Sequence, residues 1–429
     1  MKKTALCVAT VIMCCSLALG QTYKVLWSFG GFPNDGASPL ANLASDSAAN
    51  LYGTTFAGGD SVAPNCSGCG TVFELSPNGD GTWTENVLYS FCTNYSNFMC
   101  PDGRNPEAGL TVDAAGNLYG TTYQGGAAGG CPEGSGCGTV FELSPPLAQG
   151  GAWTETVLYS FCAIGRCLDG ALPTSQLILD GSGNLFGTTT GGGTGSNAGG
   201  TVFELSPNAG GWMLTTLYSF CVNAQGGACP DGADPSAGLT FDKAGNLYGT
   251  TQLGGAEKTR GVGTVYELSP GSNGWTETVL IGFAWTGNLA FPMGTVSFDP
   301  AGNLYSTAAT GSLSPGGVFE LLRKTRTERS FRFNGTSEGG APFAGVLVDP
   351  KTRALYGTTL GGGSKQGGVV FKIGESGRET VLYNFCQQTN CTDGQSPSAS
   401  LIKDNAGNLY GTTKQGGAND LGVVFEITP

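Results

Sequence analysis

The phrase Asp-Gly-x-x-Pro recurs five times and supplies the acidic residues best placed to do chemistry. Its carboxylates belong to Asp35, Asp102, Asp169, Asp231 and Asp393. A ring of carboxylates could bind a cation or a polyhydroxyl ligand, or supply an acid and a base for glycan cleavage. The alternative is structural, because Asp-Gly favours a turn and proline fixes the entry to a strand. Fivefold repetition favours the turn, since a pseudo-symmetric ring has little use for five identical catalytic acids.

A second candidate is a cluster of basic side chains in one short segment. Five of the 18 basic residues beyond the first twenty positions lie there: Arg323, Lys324, Arg326, Arg329 and Arg332. They predict a docking patch for an acidic polymer or partner. The alternative is a solvated outer strand whose charges protect a sheet edge. The surrounding repeat is the most divergent in the chain, which favours a specialised contact there.

The composition excludes several classes of function. The chain contains no histidine, so histidine triads, histidine acid/base catalysis and most zinc or copper sites are excluded. We predict no metal and no cofactor. Asp and Glu total 32 against 20 Lys and Arg, which argues against nucleic acid as a partner. The glutamate of the repeated Val-Phe-Glu-Leu is expected to contact a neighbouring repeat through a hydrogen bond.

These residues are positioned by a repeat that is marked by the phrase Asn-Leu-Tyr-Gly-Thr-Thr and its variants. Seven copies start near positions 50, 117, 184, 246, 303, 354 and 408, with spacings of 51 to 67 residues. Each unit contains four short runs rich in β-branched and aromatic residues, bounded by Gly, Pro, Asn or Asp. No helical periodicity interrupts them. The pattern predicts an all-β, seven-bladed β-propeller with four-stranded blades, in one domain over 21–429.

The chain ends predict how the ring closes. The last unit stops after its third strand, at Pro429, whereas residues 22–29 match a fourth strand and precede the first unit. We therefore expect residues 22–29 to complete the last blade and pair its open edge. Connectivity then places the long loops after strands 2 and 4 on one face, called the loop face below. The tight Asp-x-x-Gly-Asn turns lie on the opposite face, the turn face. Variable loops on a rigid scaffold indicate recognition, so the loop face is the expected binding surface.

Twelve cysteines fall in these long loops as close sequence neighbours. In a secreted chain the expected result is six local disulfides. The expected pairs are Cys66 with Cys69, Cys92 with Cys100, Cys131 with Cys137, Cys162 with Cys167, Cys221 with Cys229, and Cys386 with Cys391. Residues 1–20 have a basic start, an apolar run and small residues before Gln21, which predicts a signal peptide cleaved near Gly20. We expect a secreted, extracellular or periplasmic protein with no membrane span.

The repeated Leu-Tyr-Ser-Phe, Asp-Gly-x-x-Pro, Gly-Asn-Leu-Tyr-Gly-Thr-Thr and Gly-Thr-Val-Phe-Glu-Leu-Ser-Pro phrases resemble the GloVer (Gloeo_Verruco) tandem repeat of secreted bacterial proteins. The resemblance covers 22–429 and implies an extracellular location without an established activity. We predict a monomeric binding module for an extracellular glycan or protein, acting through the disulfide-pinned loop face rather than as an enzyme. The alternatives are a carboxylate-dependent glycoside hydrolase or lyase, and a purely structural envelope or matrix protein.

Overall fold

A computed structural model describes residues 21–429 except for short segments. The exceptions are 62, 64–65, 67, 96–98, 128–130, 132–135, 149, 196–197, 223, 225–227, 256–260, 286–288 and 311–314. The predicted signal peptide at 1–20 lies outside the described residues. The described part forms seven four-stranded antiparallel blades in a ring, which confirms the predicted propeller. None of its helices is long and apolar enough to cross a membrane.

Each blade follows the chain from an inner strand to an outer strand. Blade 1 comprises β3 (Ala44–Ser45), β4 (Leu51–Thr55), β6 (Thr71–Pro77) and β7 (Trp83–Ser90). Blade 2 comprises β8 (Thr111–Val112), β9 (Leu118–Thr122), β10 (Thr139–Ser144) and β11 (Thr154–Ser160). Blade 3 comprises β12 (Ile178–Leu179), β13 (Leu185–Thr189), β14 (Thr201–Asn208) and β15 (Gly211–Ser219). Blade 4 comprises β16 (Thr240–Phe241), β17 (Leu247–Thr251), β18 (Gly261–Gly271) and β19 (Gly274–Ala284).

The remaining blades keep this order with small additions. Blade 5 comprises β21 (Ser297–Phe298), β22 (Leu304–Thr310), β23 (Gly317–Leu321) and β24 (Glu328–Arg332), and β20 (Ala290–Pro292) also pairs with β22. Blade 6 comprises β25 (Leu347–Val348), β26 (Leu355–Thr359), β27 (Val369–Ile373) and β28 (Glu379–Asn384). Blade 7 comprises β29 (Ile402–Lys403), β30 (Leu409–Thr413), β31 (Val423–Thr428) and β1 (Thr22–Ser28). A ribbon of β2 (Gly36–Ala37) and β5 (Ala57–Gly58) and two 3-10 turns, Gly165–Cys167 and Thr389–Cys391, lie in the loops.

The Asp-initiated turn joins the first two strands of each blade. In blade 2, Asp113 Oδ1 accepts hydrogen bonds from the backbone N–H of Ala115 at 2.8 Å and of Asn117 at 2.9 Å. Gly116 takes φ +87°, a conformation that favours glycine. Blade 6 lacks this glycine, and Arg353 takes the left-handed conformation instead, at φ +55°. The blade 6 turn is also one residue longer, since Asp349 N donates to the carbonyl of Ala354, five positions on.

A ring of aromatic pairs joins the blades. At every boundary an aromatic residue at the end of the fourth strand, or directly after it, contacts the third-strand aromatic of the next blade, with ring centroids 4.9 to 5.2 Å apart. Such tilted and edge-to-face pairs stabilise beyond their buried area by about 1 kcal/mol each. The pairs are Phe29–Phe73, Phe91–Phe141, Phe161–Phe203, Phe220–Tyr266, Phe283–Phe319, Phe333–Phe371 and Phe385–Phe425. The first pair joins the end of β1 to blade 1, so it closes the ring.

Candidate functional site

The candidate site is a cleft between blades 4 and 5 with a volume of about 790 Å³. Its walls are the 1–2 turns of both blades, the 3–4 turn of blade 5, and Pro350 of blade 6. All of these segments belong to the turn face. The cleft therefore lies on the face opposite to the loop face that the sequence favoured for binding. Its volume falls within the range of about 300 to 1,000 Å³ that is typical of small-ligand pockets.

At the cleft, blade 5 carries an arginine where blades 1 to 4 carry a tryptophan; blades 6 and 7 lack the tryptophan too, with Gly377 and Gln21 at this position. In each blade, one residue of the fourth strand pairs with the last Leu or Ile of the third strand. Two residues before it, blades 1 to 4 carry a tryptophan: Trp83, Trp153, Trp212 and Trp275. Trp153 packs edge-on against Tyr52 of the preceding blade, and Trp212 packs in the same way against Tyr119. Blade 5 pairs Leu321 with Glu328, which places Arg326 at the tryptophan position. Its side chain lines the cleft.

Two aromatic rings form the floor. Tyr248 of β17 and Phe298 of β21 lie edge to face, with centroids 5.0 Å apart and ring planes at 84°. The equivalent pair one boundary earlier is Phe186 and Phe241, and Trp275 packs against that cluster. Tyr248 is only partly buried, whereas the equivalent residue is buried in all six other blades. Tyr248 therefore presents part of its aromatic ring to the cleft.

Three cations lie at the cleft. Arg323 and Arg326 are exposed residues of the blade 5 turn, and Lys243 is an exposed residue of the blade 4 turn. Ion pairs among the described residues involve Arg329, Arg353 and Lys403, and none involves these three cations. Arg326 has φ +55°, and its N–H donates to the carbonyl of Leu322 at 2.9 Å, so a hydrogen-bonded turn fixes its backbone. These three side chains offer cationic donors to a ligand, beside the carboxylates of Asp242, Glu267 and Asp299 that line the same cleft.

The carboxylates of the cleft are already engaged. Asp242 accepts hydrogen bonds from Ala244 N, Asn246 N and Asn246 Nδ2 at 2.8 to 3.0 Å. Burial raises its pKa, but these hydrogen bonds outweigh that effect and hold the pKa below its usual value. Asp299 behaves in the same way, with hydrogen bonds from Asn303 and a 3.0 Å ion pair to Arg353 opposing burial. Neither aspartate holds a proton near neutral pH, so neither suits a general acid.

The predicted basic patch is only partly brought together. Arg323 and Arg326 line the cleft, whereas Lys324, Arg329 and Arg332 are exposed outside it. Arg329 Nη1 lies 3.7 Å from Glu320 Oε2 across the outer strand pair. The replacement of the tryptophan by Arg326 was visible in the sequence, but blades 6 and 7 also lack the tryptophan, so its absence alone did not locate the cleft.

The sequence comparisons agree with this architecture. The model of the Gloeobacter/Verrucomicrobia repeat matches residues 13–259 and 234–429, which together cover the whole propeller. The chain belongs to this family. The resemblance drawn from the repeated phrases is confirmed. No protein in a search of curated sequences matches this Gloeobacter/Verrucomicrobia repeat protein.

Solved structures resemble the Gloeobacter/Verrucomicrobia repeat protein in fold. An ulvan lyase of polysaccharide lyase family 25, bound to -[GlcA(1-4)Rha3S]-, superposes with a TM-score of 0.50 at 13% identity, covering 93% of this chain and 95% of its own. A protein of unknown function from Dyadobacter fermentans gives 0.44 at 14%, covering 96% and 100%. The Trypanosoma rangeli sialidase gives 0.40 at 11%, covering 82% and 56%. At these identities the likeness concerns the fold alone.

The five Asp-Gly-x-x-Pro carboxylates of the repeat protein do not form a collar around the central channel. The channel contains a cavity of about 390 Å³, and none of the five lines it. Asp102, Asp169, Asp231 and Asp393 are buried, and each accepts a hydrogen bond from the tyrosine of the preceding fourth strand and from loop backbone N–H groups. Asp35 is partly buried and accepts from Gly30 N and Gly36 N. These contacts support the structural alternative, in which the carboxylate organises the loop.

Replacement of Asp169 by asparagine tests that role. Asp169 is fully buried and accepts from Tyr159 Oη at 2.8 Å, Ala163 N at 2.9 Å and Ile164 N at 3.2 Å. The asparagine amide keeps one acceptor oxygen, but its NH2 group faces N–H and O–H donors and cannot accept from them. We therefore expect a loss of about 3 kcal/mol in the free energy of unfolding. Chemical denaturation measures it, with the exposed Asp60→Asn as control. A loss equal to that of the control would contradict the structural role.

The glutamate of Val-Phe-Glu-Leu has a partner, but in its own blade rather than in the neighbouring one. Tyr52 Oη donates to Glu74 Oε1 at 3.0 Å, and Tyr305 Oη donates to Glu320 Oε1 at 2.6 Å. Both are cross-strand pairs of the second and third strands. The expectation of an inter-blade bond was wrong, because the tyrosine of the second strand lies directly opposite this glutamate.

The loop face of the Gloeobacter/Verrucomicrobia repeat protein contains six disulfides, with the predicted partners. They join Cys66 to Cys69, Cys92 to Cys100, Cys131 to Cys137, Cys162 to Cys167, Cys221 to Cys229, and Cys386 to Cys391. Sulfur atoms of Cys69, Cys92 and Cys100 lie close together, but all three are in disulfides and so do not offer thiolates to a metal.

The disulfide of Cys229 illustrates the structural role of these bridges, which lie outside the candidate site. It is half-buried and disulfide-bonded to Cys221, with Cα atoms 4.6 Å apart. Its carbonyl accepts hydrogen bonds from Gly232 N at 3.0 Å and from Gly255 N at 2.8 Å, which ties two loops of blade 4 together. Cys229 does not line the cleft or the channel cavity, and neither does any other cysteine. The bridge therefore holds the loops without contacting either cavity.

The loop face also exposes apolar side chains, including Ile164, Leu168, Val222 and Trp285. These side chains could contribute to a contact with a partner. Both cavities described above lie elsewhere, so binding through the loop face stays a prediction.

Proposed function

We propose that this protein is an extracellular binding module that holds an acidic oligosaccharide in the cleft between blades 4 and 5. The observation that carries the proposal is the partly exposed ring of Tyr248 in the same cleft as Arg326, which occupies the position of the tryptophan of blades 1 to 4. An uncovered aromatic ring offers an apolar surface to one face of a sugar ring. Arg323, Arg326 and Lys243 offer donors for carboxylate or sulfate substituents.

The remaining groups suit sugar hydroxyls. Glu267 lines the same cleft and provides acceptor oxygens, and Asn246 adds an amide. The ionised state of Asp242 and Asp299 favours binding over acid/base catalysis. The six disulfides fit an oxidising location outside the cytosol. A glycoside hydrolase or lyase activity is less well supported, because it needs a carboxyl group with a raised pKa facing the cleft.

Calorimetric titration with uronic-acid oligosaccharides tests the function. We expect binding by the acidic oligosaccharide and little binding by its carboxyl-reduced counterpart, because only the former pairs with the arginines. Affinity should fall as salt rises, since screening at 0.1 M acts over about 10 Å. Analysis of the same samples for shortened or unsaturated products separates binding from cleavage. Equal affinity for both oligosaccharides, or no binding to either at low salt, would overturn the proposal.

A further inference from the structure

Two amide side chains meet across the central channel. Asn42 Nδ2 of blade 1 donates to Gln176 Oε1 of blade 3 at 3.2 Å, and Gln176 Nε2 donates to the carbonyl of Leu110 at 2.8 Å. Asn42 Oδ1 also accepts from Ser400 N of blade 7 at 2.6 Å. The pair passes over Gly109 of blade 2, where an added Cβ would lie 3.3 Å from Gln176 Cδ. The Asn42–Gln176 pair, called the plug below, therefore occupies the channel on the side of blades 1 to 3.

The channel cavity of about 390 Å³ lies on the turn-face side of the plug. At the level of the plug it is lined by Asn42, Gln176, Gly238, Thr295, Gly345 and Ser400. Every other residue that lines it follows one of these along an inner strand, toward the 1–2 turns. The cavity therefore opens to the same face as the cleft and has the plug level as its floor.

Phe298 connects the channel cavity with the cleft, because it lines both. In the cleft its ring lies edge to face against Tyr248. The preceding residue of the same strand, Ser297, lines the channel cavity. A ligand held in the cleft can therefore continue past Phe298 into the channel.

The channel cavity differs from the cleft in charge. Ile178 and Leu347 provide apolar walls, and none of the described residues that line the cavity is charged. Thr240 Oγ1 and Ser297 Oγ donate to carbonyls of the next blade at 2.6 and 2.7 Å, which leaves their oxygens able to accept. Thr295 Oγ1 has no hydrogen-bond partner among the described residues, so its hydroxyl is available to a ligand. Neutral polar groups between apolar walls suit a neutral sugar unit, whereas a carboxylate would lose hydration there without gaining a cation.

We propose that the channel cavity is a second subsite, which takes a neutral sugar unit of the oligosaccharide whose acidic unit lies in the cleft. This inference rests on the proposed function of the cleft. Thr295 Oγ1 donates to an oxygen of the neutral unit, and Phe298 lies between the two units. The protein then selects oligosaccharides in which acidic and neutral units adjoin over those made of acidic units alone.

Gly238→Gln tests the subsite by filling it. Gly238 and Gln176 hold equivalent positions, two residues before the first strand of their blades. A Cβ at Gly238 would meet Thr295 Oγ1 at 3.1 Å and Gln176 O at 3.5 Å, whereas one at Gly345 would lie 2.5 Å from the carbonyl oxygen of Thr295. Gly238 is therefore the better position for a larger side chain.

Calorimetric titration compares two probes of equal length. Hyaluronan tetrasaccharide alternates glucuronic acid with N-acetylglucosamine, and we expect it to bind Gly238→Gln at least about 10-fold more weakly than the wild type. Tetragalacturonic acid has only acidic units, so its affinity should change by less than about threefold.

Thr295→Val is a gentler variant that removes the hydroxyl and keeps the shape of the side chain. We expect about fivefold weaker binding of hyaluronan tetrasaccharide, which corresponds to the loss of one neutral hydrogen bond. Thr174→Val is the matched control, because Thr174 is also half-buried, precedes the plug on the loop-face side and lines neither cavity. It should leave both affinities unchanged. Thr295→Val decides the matter alone if Gly238→Gln does not fold.

The outcomes separate this inference from the proposed function. Binding of neither tetrasaccharide to the wild type at low salt would overturn both. Binding of both tetrasaccharides that Gly238→Gln and Thr295→Val leave unchanged would overturn the second subsite alone. Binding of tetragalacturonic acid only, or equal losses of both probes in Gly238→Gln, would also overturn it, because the channel would then show no preference for a neutral unit.

Discussion

Deletion of residues 22–29 is expected to leave a chain that does not fold cooperatively. These residues form β1, which pairs with β31 from Thr22↔Thr428 to Ser28↔Val423. Tyr23 stacks on Tyr383 of blade 6 at 3.7 Å, and the fully buried Phe29 packs on Phe73 of blade 1. The deletion therefore removes contacts with blades 6, 7 and 1 together. It also exposes an unpaired edge along β31.

The size of the effect can be bounded with a single substitution. Phe29→Ala removes a buried ring from the aromatic ring of the propeller, and such truncations cost about 3 to 5 kcal/mol. Since a domain is stable by only about 5 to 15 kcal/mol, loss of the whole strand should exceed the margin. Chemical denaturation of Phe29→Ala, with the exposed Leu147→Ala as control, gives the measured value.

Closure of the ring by β1 also predicts that the strand can be supplied as a separate peptide. A synthetic peptide of residues 21–30 added to the truncated chain should restore a cooperative transition, because the vacant edge offers the same register. Truncation that leaves the unfolding curve of the remaining chain unchanged would show that the ring does not depend on β1.

Simultaneous replacement of Arg323 and Arg326 by glutamate is expected to abolish binding of the acidic oligosaccharide. Both side chains line the cleft, and neither forms an ion pair among the described residues. A hydrogen bond with a charged partner contributes about 1.5 to 3 kcal/mol. Loss of two such bonds, with repulsion added, predicts an affinity at least about 100-fold lower. The fold should survive, because both residues are exposed in a turn.

Lys324→Glu is the matched control for this experiment. Lys324 lies in the same turn, is equally exposed and does not line the cleft. It should weaken binding by less than about threefold, through the long-range field alone. Equal losses in the control and the double variant would indicate a general charge effect and would contradict a site in the cleft. Titration at two salt concentrations distinguishes the two cases.

The sequence by itself determined the architecture, because the turns, strands and disulfides of a propeller blade form between residues that are close in the chain. Each Asp-x-x-Gly-Asn turn, each Phe after a fourth strand and each cysteine pair acts within a few residues of its own position. The seven copies of the repeat give the number of blades. The fourth-strand sequence at 22–29, which precedes the first repeat, indicates that the N-terminal strand closes the ring. The cysteine pairs were equally accessible, since their separations of 3 to 8 residues leave few alternatives.

Only the tertiary structure decided which residues meet across a blade boundary. Arg326 and Tyr248 are 78 positions apart, and they line one cleft because of strand register and blade packing. The repeated carboxylates suggested a ring of binding groups around the channel, but in the structure they accept hydrogen bonds from loop backbone N–H groups. Local chemistry fixes turns and strands, whereas sites arise from contacts between repeats, and those contacts depend on packing that no single repeat contains.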